Sequence, residues 1–104
     1  MESQNGGLSV RVQQAIDEQG PVVHVQGEVD ILTAPELRTG LVGLEGDVVV
    51  DLTDVEFLDS TGISVLVVAR KRLTRSGGSL ALRNPNDTIA RTIEAVGLRE
   101  WIEE

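Results

Sequence analysis

The chain has 104 residues, no cysteine and a formal net charge of −8, with 40% hydrophobic and 25% charged residues. This length suits one domain with one core, and the absence of cysteine excludes a disulfide framework and a thiolate metal site. The negative charge argues against direct binding to nucleic acid or to an acidic membrane surface, and no apolar run reaches the roughly 18–20 residues that span a bilayer. We therefore expect a cytoplasmic protein in which residues 1–7 form a disordered arm and residues 8–104 form one domain.

The N-terminal third has the pattern of a β-hairpin. Apolar residues alternate with polar ones over 8–13 and again over 23–29, which is the period of a half-buried strand. Residues 17–21 lie between these segments and are typical of a turn. Because the connection is short, the two strands are predicted to be antiparallel.

A first helix is predicted to follow. Thr33 can cap it, Pro35 is tolerated in its first turn, and Glu36 occupies the capping-box position. Gly46 is predicted to end the helix in a left-handed conformation. The apolar stripe of this helix consists of Leu37, Leu41 and Leu44.

The centre of the chain predicts a buried strand and a second helix. Residues 48–52 form a continuous apolar run up to Leu52 apart from Asp51, as in a strand covered on both faces. Residues 63–75 have strand propensity, but a helix is favoured by three features. Ser60 is a suitable N-cap, the apolar residues fall on one helical stripe, and cations crowd the C-terminal half before two glycines.

The remaining residues predict one more strand, one more helix and a short tail. The strand covers 79–83, and the helix is predicted to have Asn84 as its cap, Pro85 at its first position and Gly97 at its end. Residues 98–104 are predicted to add a last short strand or turn. The apolar stripe of the helix consists of Ile89, Ile93 and Val96.

This order predicts an α/β fold. A mixed central sheet of four to five strands starts with the antiparallel hairpin, continues with parallel strands, and is packed by three to four helices. Strand–helix–strand units require right-handed crossovers and parallel pairing.

The turn Asp59-Ser60-Thr61-Gly62 is the strongest local feature, because loops that leave the C-terminal ends of strands in α/β sheets usually carry function. At a helix N-terminus, free N–H groups and the helix dipole favour a negative group. A phosphate on Ser60 would add about −1.5 to −2 charges there. Asp30, at the end of the second strand, is expected at the same edge of the sheet. By itself, however, a serine in this position is most often only a helix cap.

The chain resembles the STAS-domain family and, within it, the anti-sigma factor antagonists, over about residues 8–101. The matching segments are Gly27-Glu28-Val29-Asp30, Thr33-Ala34-Pro35-Glu36-Leu37-Arg38, Val49-Val50-Asp51-Leu52, Val55-Glu56-Phe57-Leu58-Asp59-Ser60-Thr61-Gly62-Ile63, Arg70-Lys71-Arg72 followed by Gly77-Gly78, and Val96-Gly97-Leu98.

The resemblance implies a switch in binding. Such antagonists bind an anti-sigma factor that is also a serine kinase and so free a sigma factor. The kinase then phosphorylates the serine of the motif and drives the antagonist off, and a PP2C-type phosphatase restores it. Ser60 is the implied phosphoacceptor and Thr61 a secondary one. The implied recognition residues are Asp30, Thr33, Asp59, Thr61 and Gly62. No cofactor is expected, and the chain is expected to be a monomer or a weak dimer.

Other functions remain alternatives. The same family supplies subunits of ABC-type lipid transporters and of stress-signalling assemblies, and some members have been proposed to bind nucleotides. A hydrolase using Ser60 with His24 is disfavoured, because a triad needs a base within hydrogen-bond reach and the G-x-S-x-G elbow is absent. With one histidine and no cysteine, only an all-oxygen metal site would be available.

Overall fold

The computed structural model describes residues 9–103, so the predicted arm over residues 1–7 lies outside the described part. The order of strands and helices matches the predicted one. No helix in the described range is long and apolar enough to cross a membrane. The elements are β1 (Val10–Asp17), β2 (Gly20–Val29), α1 (Ala34–Leu41), β3 (Asp47–Leu58), α2 (Ser60–Arg75), β4 (Ser79–Arg83), α3 (Asp87–Ala95) and a short 3₁₀ helix (Arg99–Trp101).

The four strands form one mixed sheet in the order β1-β2-β3-β4. Strands β1 and β2 are antiparallel and are joined by a tight hairpin in which Asp17 pairs with Gly20. The β2–β3 and β3–β4 pairs are parallel. After the 3₁₀ helix, Ile102 forms an isolated parallel bridge with Leu82 on the outer edge of β4. The predicted architecture is confirmed.

Strand β3 is longer than the predicted strand over 48–52, and it continues as far as Leu58. Its register against β2 shifts twice, and each shift places one extra residue in β3, as in a β-bulge. Val50, Val55 and Leu58 consequently share one face of the sheet in spite of their irregular spacing, and all three are buried in the same core cluster. The bulges carry β3 on to the edge where α2 begins.

All three helices contribute buried side chains to that cluster, including Leu37 from α1, Leu66 from α2 and Ile93 from α3. The other face of the sheet is polar at its centre. There, Gln13 of β1 pairs with His24 of β2, which in turn pairs with Asp51 of β3.

Helix α1 ends at Leu41 rather than at the predicted Gly46. Val42 already has an extended backbone, and Gly43 takes a φ of 83°. The Arg72 guanidinium on α2 donates to the carbonyl oxygens of Leu41 and Leu44 at 2.8 and 2.9 Å. A side chain from another helix therefore donates to carbonyl groups at the C-terminus of α1 and in the turn that follows it.

Helix α3 begins two residues later than predicted. Asn84, expected to be the cap, has a φ of 56°, and Asn86 is the N-cap instead. The Asn86 side-chain oxygen accepts a hydrogen bond from the Ile89 N–H at 2.9 Å. Gly97 ends the helix with a φ of 82°, as predicted, but Val96 is half-exposed and so does not extend the buried stripe.

Candidate functional site

The strands β2 and β3 end side by side. Val29 lies opposite Leu58 in their parallel ladder. Asp30 and Asp59 follow these two residues, and the Asp59 N–H donates to the Val29 carbonyl at 3.1 Å. The structure thus brings the two acidic residues to one edge of the sheet, as the sequence analysis expected.

The N-cap of α2 is Asp59, which corrects the prediction that Ser60 caps this helix. Asp59 has an extended backbone, and its Oδ1 accepts hydrogen bonds from the N–H groups of Thr61 at 2.9 Å and Gly62 at 3.2 Å. A carboxylate in this position accepts from two of the N–H groups that a helix start leaves unpaired. Its negative charge also interacts favourably with the positive end of the helix dipole.

Ser60 is therefore the first residue inside the helix, and its side chain is exposed. The first helical hydrogen bond runs from the Ile63 N–H to the Asp59 carbonyl. Within residues 9–103, the structure shows no acceptor for the Ser60 N–H. Among the described residues at this helix start, the Ser60 N–H is the group that is left without an acceptor.

Gly62 is at a point of close approach. A Cβ atom there would lie 2.6 Å from Leu58 Cδ1 and 2.6 Å from Val29 Cγ1. Because real Cβ atoms do not come this close to other carbon atoms, only glycine lets the first turn of α2 rest on the two strand ends. Gly62 thus sets the position of Ser60 by packing.

Asp30 and Thr33 together form a tight turn before α1. Asp30 Oδ1 accepts from the N–H groups of Leu32 at 2.9 Å and Thr33 at 3.1 Å. The buried Thr33 hydroxyl donates to the Glu28 carbonyl at 2.7 Å and accepts from the Asp30 N–H at 2.9 Å. Thr33 is at the N-cap position of α1, but its side chain makes no capping hydrogen bond, contrary to the prediction.

This turn holds two apolar side chains in solvent, and sequence reasoning missed them. Ile31 and Leu32 are 72% and 73% exposed. Two large apolar residues between Asp30 and Thr33 are a signal that the sequence does contain, because turns are ordinarily polar. Large apolar side chains that are exposed together are a feature of binding surfaces.

An open groove of about 330 Å³ extends from the same site between α1 and α2. Thr61 and Ser64 line it near the start of α2, and Val42 and Val68, both about two-thirds exposed, line it further along. Sequence reasoning also missed this groove. The available signal is Val68, an apolar residue that lies off the buried stripe of its helix. The remaining lining residues are Arg38, Leu41, Val65, Ala69 and Arg72.

His24 is remote from this edge. It lies five residues before Val29 along β2, which corresponds to about 16 Å at about 3.3 Å per residue. Its Nδ1 is 3.1 Å from Asp51 Oδ2, so this histidine, predicted to be solvated, is half-exposed but paired. The geometry gives Ser60 no contact with an imidazole base.

Asp51 is the partner in this pair. Burial opposes its ionisation, but hydrogen bonds from the Thr53 hydroxyl and N–H, together with His24, outweigh burial and lower the pKa of Asp51 below its ordinary value. Within residues 9–103, no three histidine or acidic side chains are grouped so that they could hold a metal ion.

Comparisons with known sequences agree along most of the chain. The family model described as "STAS domain" matches residues 8–104. An anti-sigma-B factor antagonist of Bacillus subtilis is 34% identical over 99 residues, covering 92% of this chain and 91% of the relative. An anti-sigma-B factor antagonist of Listeria monocytogenes is 39% identical over 85 residues, covering 78% and 75%.

Solved structures show the same fold. The anti-sigma factor antagonist SpoIIAA in its unphosphorylated form matches with a TM-score of 0.76 and 21% identity, over 89% of this chain and 86% of that one. An anti-sigma factor antagonist from Mycobacterium paratuberculosis matches with a TM-score of 0.79 and 27% identity, over 89% and 82%. The family model, these relatives and the shared fold show that the chain belongs to the STAS-domain family.

Proposed function

We propose that this chain is an anti-sigma factor antagonist that works by binding, and that phosphorylation of Ser60 abolishes the binding. The antagonists of Bacillus subtilis and Listeria monocytogenes align with it over 91% and 75% of their own lengths. These relatives are regulatory binding proteins and not enzymes. They favour the antagonist over the alternative of a subunit in a lipid-transport or stress-signalling assembly.

The observation that carries the switch is the position of Ser60. Its hydroxyl is exposed on the first residue of α2, directly after the Asp59 cap and beside the turn of Asp30. A kinase can reach the hydroxyl without opening the domain, because no buried contact has to be broken. In this proposal the anti-sigma factor is itself the serine kinase, a PP2C-type phosphatase removes the phosphate, and all three act in the cytoplasm.

The surroundings of Ser60 explain why a phosphate would act on the partner. Ile31 and Leu32 are exposed beside the site, and the groove between α1 and α2 continues it. A partner that covers these apolar surfaces removes Ser60 from water. A phosphate of about −1.5 to −2 charges then has to be desolvated in the interface, which opposes binding.

The other predicted site residues have distinct places in this proposal. Asp59 and Gly62 position the first turn of α2, and Asp30 and Thr33 hold the apolar turn. Thr61 is half-buried and lines the groove, so it contacts a docked partner and is a poorer phosphoacceptor than the exposed Ser60. We propose Thr61 as the secondary site only.

A labelling experiment tests the phosphoacceptor. The protein is incubated with ATP and its cognate anti-sigma factor, and the phosphorylated residue is identified by mass spectrometry. We expect one phosphate on Ser60, no rapid labelling of Ser60→Ala, and normal labelling of Thr74→Ala, which removes an exposed hydroxyl near the opposite end of α2 and outside the groove. Full labelling of Ser60→Ala would refute the assignment.

A binding experiment tests the antagonist function separately. Titration calorimetry with the anti-sigma factor is expected to give equal affinities for the wild type and Ser60→Ala. Ser60→Glu is expected to bind at least tenfold more weakly, because it places a negative charge in the interface. Its effect should be smaller than that of a phosphate, which a single carboxylate imitates only in part. If neither the wild type nor Ser60→Ala binds the anti-sigma factor, the proposed function is wrong, whatever the labelling shows.

A further inference from the structure

One edge of the sheet is paired with a further segment of the chain, and the other edge is not. On the β4 edge, Ile102 forms its bridge with Leu82, and the Glu103 N–H donates to the Leu82 carbonyl at 2.7 Å. On the opposite edge, β1 has no neighbouring strand within residues 9–103. An unpaired edge of eight residues is a template for another strand.

Strand β1 carries only two charged side chains, Arg11 and Asp17, and their charges are of opposite sign. It contains no proline and no lysine, and Ile16 is 83% exposed on it. Natural edge strands commonly carry prolines or inward-pointing charges that prevent association. The sequence of β1 thus leaves its free edge able to pair.

The direction of the free backbone groups follows from the hairpin. The Glu28 N–H donates to the Ser9 carbonyl, so Ser9 points its backbone groups towards β2. Backbone groups alternate in direction along a strand of an antiparallel pair. The odd-numbered residues of β1 therefore bond to β2, and Val12, Gln14 and Ile16 direct their N–H and C=O groups to the free edge.

We propose that a second copy of this chain occupies the β1 edge, in an antiparallel register centred on Gln14. In this register Arg11 of one copy lies opposite Asp17 of the other, and Val12 lies opposite Ile16. The two Gln14 residues face each other on the dyad, and their outward backbone groups exchange hydrogen bonds. Four strands from each copy then form one continuous sheet of eight strands.

Charge complementarity selects this register among those that keep the outward groups paired. Shifting the centre by one residue, to Gln13, leaves Arg11 opposite Ala15 and pairs no charges. With Gln14 at the centre, two Arg11–Asp17 pairs form at once, and opposite charges directly across an antiparallel pair are stabilising. Asp17 Oδ1 accepts a hydrogen bond from the Gln19 N–H at 2.8 Å, and Oδ2 lies 3.4 Å from the Arg83 guanidinium. The Asp17 side chain is nevertheless 41% exposed, and each carboxylate oxygen can accept a second hydrogen bond, so Arg11 of the other copy can still pair with it.

The proposed dimer leaves the phosphorylation site open. Strand β1 begins near the end of β2 that carries Asp30 and runs away from it to the hairpin. An antiparallel dyad therefore places the two Ser60 turns at opposite ends of the eight-stranded sheet, and each remains available to a partner. Two short edge strands make a small interface, so the association is expected to be weak.

Sedimentation and amide exchange followed by NMR, both measured over a range of concentrations of the purified protein, test the proposal. From about 50 µM to about 1 mM, the range suited to a weak contact, we expect sedimentation to show an increasing dimer fraction. We expect the amides of Val12, Gln14 and Ile16 to gain protection with concentration. If these amides are protected to the same extent at every concentration, another segment of the same chain covers the edge and the proposal is overturned. A monomer at every concentration in sedimentation would also overturn it.

Charge reversal tests the register. Arg11→Glu places two like-charge pairs across the dyad and is expected to weaken association roughly tenfold or more. The double variant Arg11→Glu with Asp17→Lys restores opposite charges and is expected to recover it. Arg91→Glu makes the same change in net charge at an exposed position of α3, so it is the matched control and should associate like the wild type. Failure of the double variant to recover association would overturn this register.

Discussion

Replacing Asp59 with alanine tests the physical account of the site most directly. The substitution removes the carboxylate that accepts hydrogen bonds from the N–H groups of Thr61 and Gly62. Asp59→Asn is the matched control, because its side-chain oxygen keeps the capping geometry and only the charge is lost. Comparing the two variants separates the cap from the charge.

The expected magnitudes follow from the structure. Loss of an N-cap costs about 1 kcal/mol, and Gly62 is buried, so its unpaired N–H group has poor access to water and adds to that cost. Loss of the negative charge at the helix N-terminus costs about 0.5 kcal/mol more. We expect Asp59→Ala to lower the free energy of unfolding by about 2 kcal/mol and Asp59→Asn by about 0.5 kcal/mol.

Urea denaturation measures both effects. Trp101 is the single tryptophan, and its ring lies 4.4 Å from the Arg70 guanidinium carbon, so its fluorescence reports the folded packing. For a domain of this size, about 2 kcal/mol corresponds to a fall in Tm of roughly 10 °C. If the alanine and asparagine variants unfold with the same free energy, Asp59 is not acting as the cap described here, and the account of how Ser60 is held fails with it.

Three further predictions concern neighbouring features of the fold. Gly62→Ala is expected to cost about 1–3 kcal/mol and to slow labelling of Ser60, because the first turn of α2 must move off the strand ends; normal stability with normal labelling would contradict this. Asp30→Asn keeps the turn oxygen and should fold like the wild type while being labelled more slowly, and an unchanged rate in a kinase assay would remove Asp30 from recognition. Because the pKa of Asp51 is lowered in the folded state, its stabilisation is complete above about pH 4 and is lost as the pH falls further. Asp51→Asn should therefore show a shallower acid loss of stability by circular dichroism.

The order of elements was predictable because it depends on the period of apolar residues, which is a local property. The ends of the helices were less so, since contacts from elsewhere in the chain determine them. Arg72 donates to the carbonyl oxygens of Leu41 and Leu44, and α1 ends at Leu41 although apolar residues continue to Leu44. The length of β3 depends on two bulges against β2, and no pattern within β3 itself indicates them.

The candidate site was likewise predictable only in part. That Asp30 and Asp59 meet at one edge could be predicted, because parallel strands end together. Which of Asp59 and Ser60 caps α2 could not, since both residue types are good caps and adjacent. The groove between α1 and α2 was also unpredictable in detail, because it depends on how two helices pack.

The capping role of Asp59 limits the hydrogen bonds that a phosphate on Ser60 could make within the domain. The N–H groups of Thr61 and Gly62 are already bound to Asp59, so a phosphate finds only the Ser60 N–H unpaired at this helix start. It also lies next to the Asp59 carboxylate, and two adjacent anions at one helix end offset the gain from the dipole. The phosphate therefore gains little inside the domain, and its effect on fold stability should be small. Its charge remains directed at solvent beside Ile31 and Leu32, where a partner has to desolvate it. In the proposed switch, the separation of a stable fold from a changed surface thus follows from a single residue, the Asp59 cap that precedes the proposed phosphoacceptor.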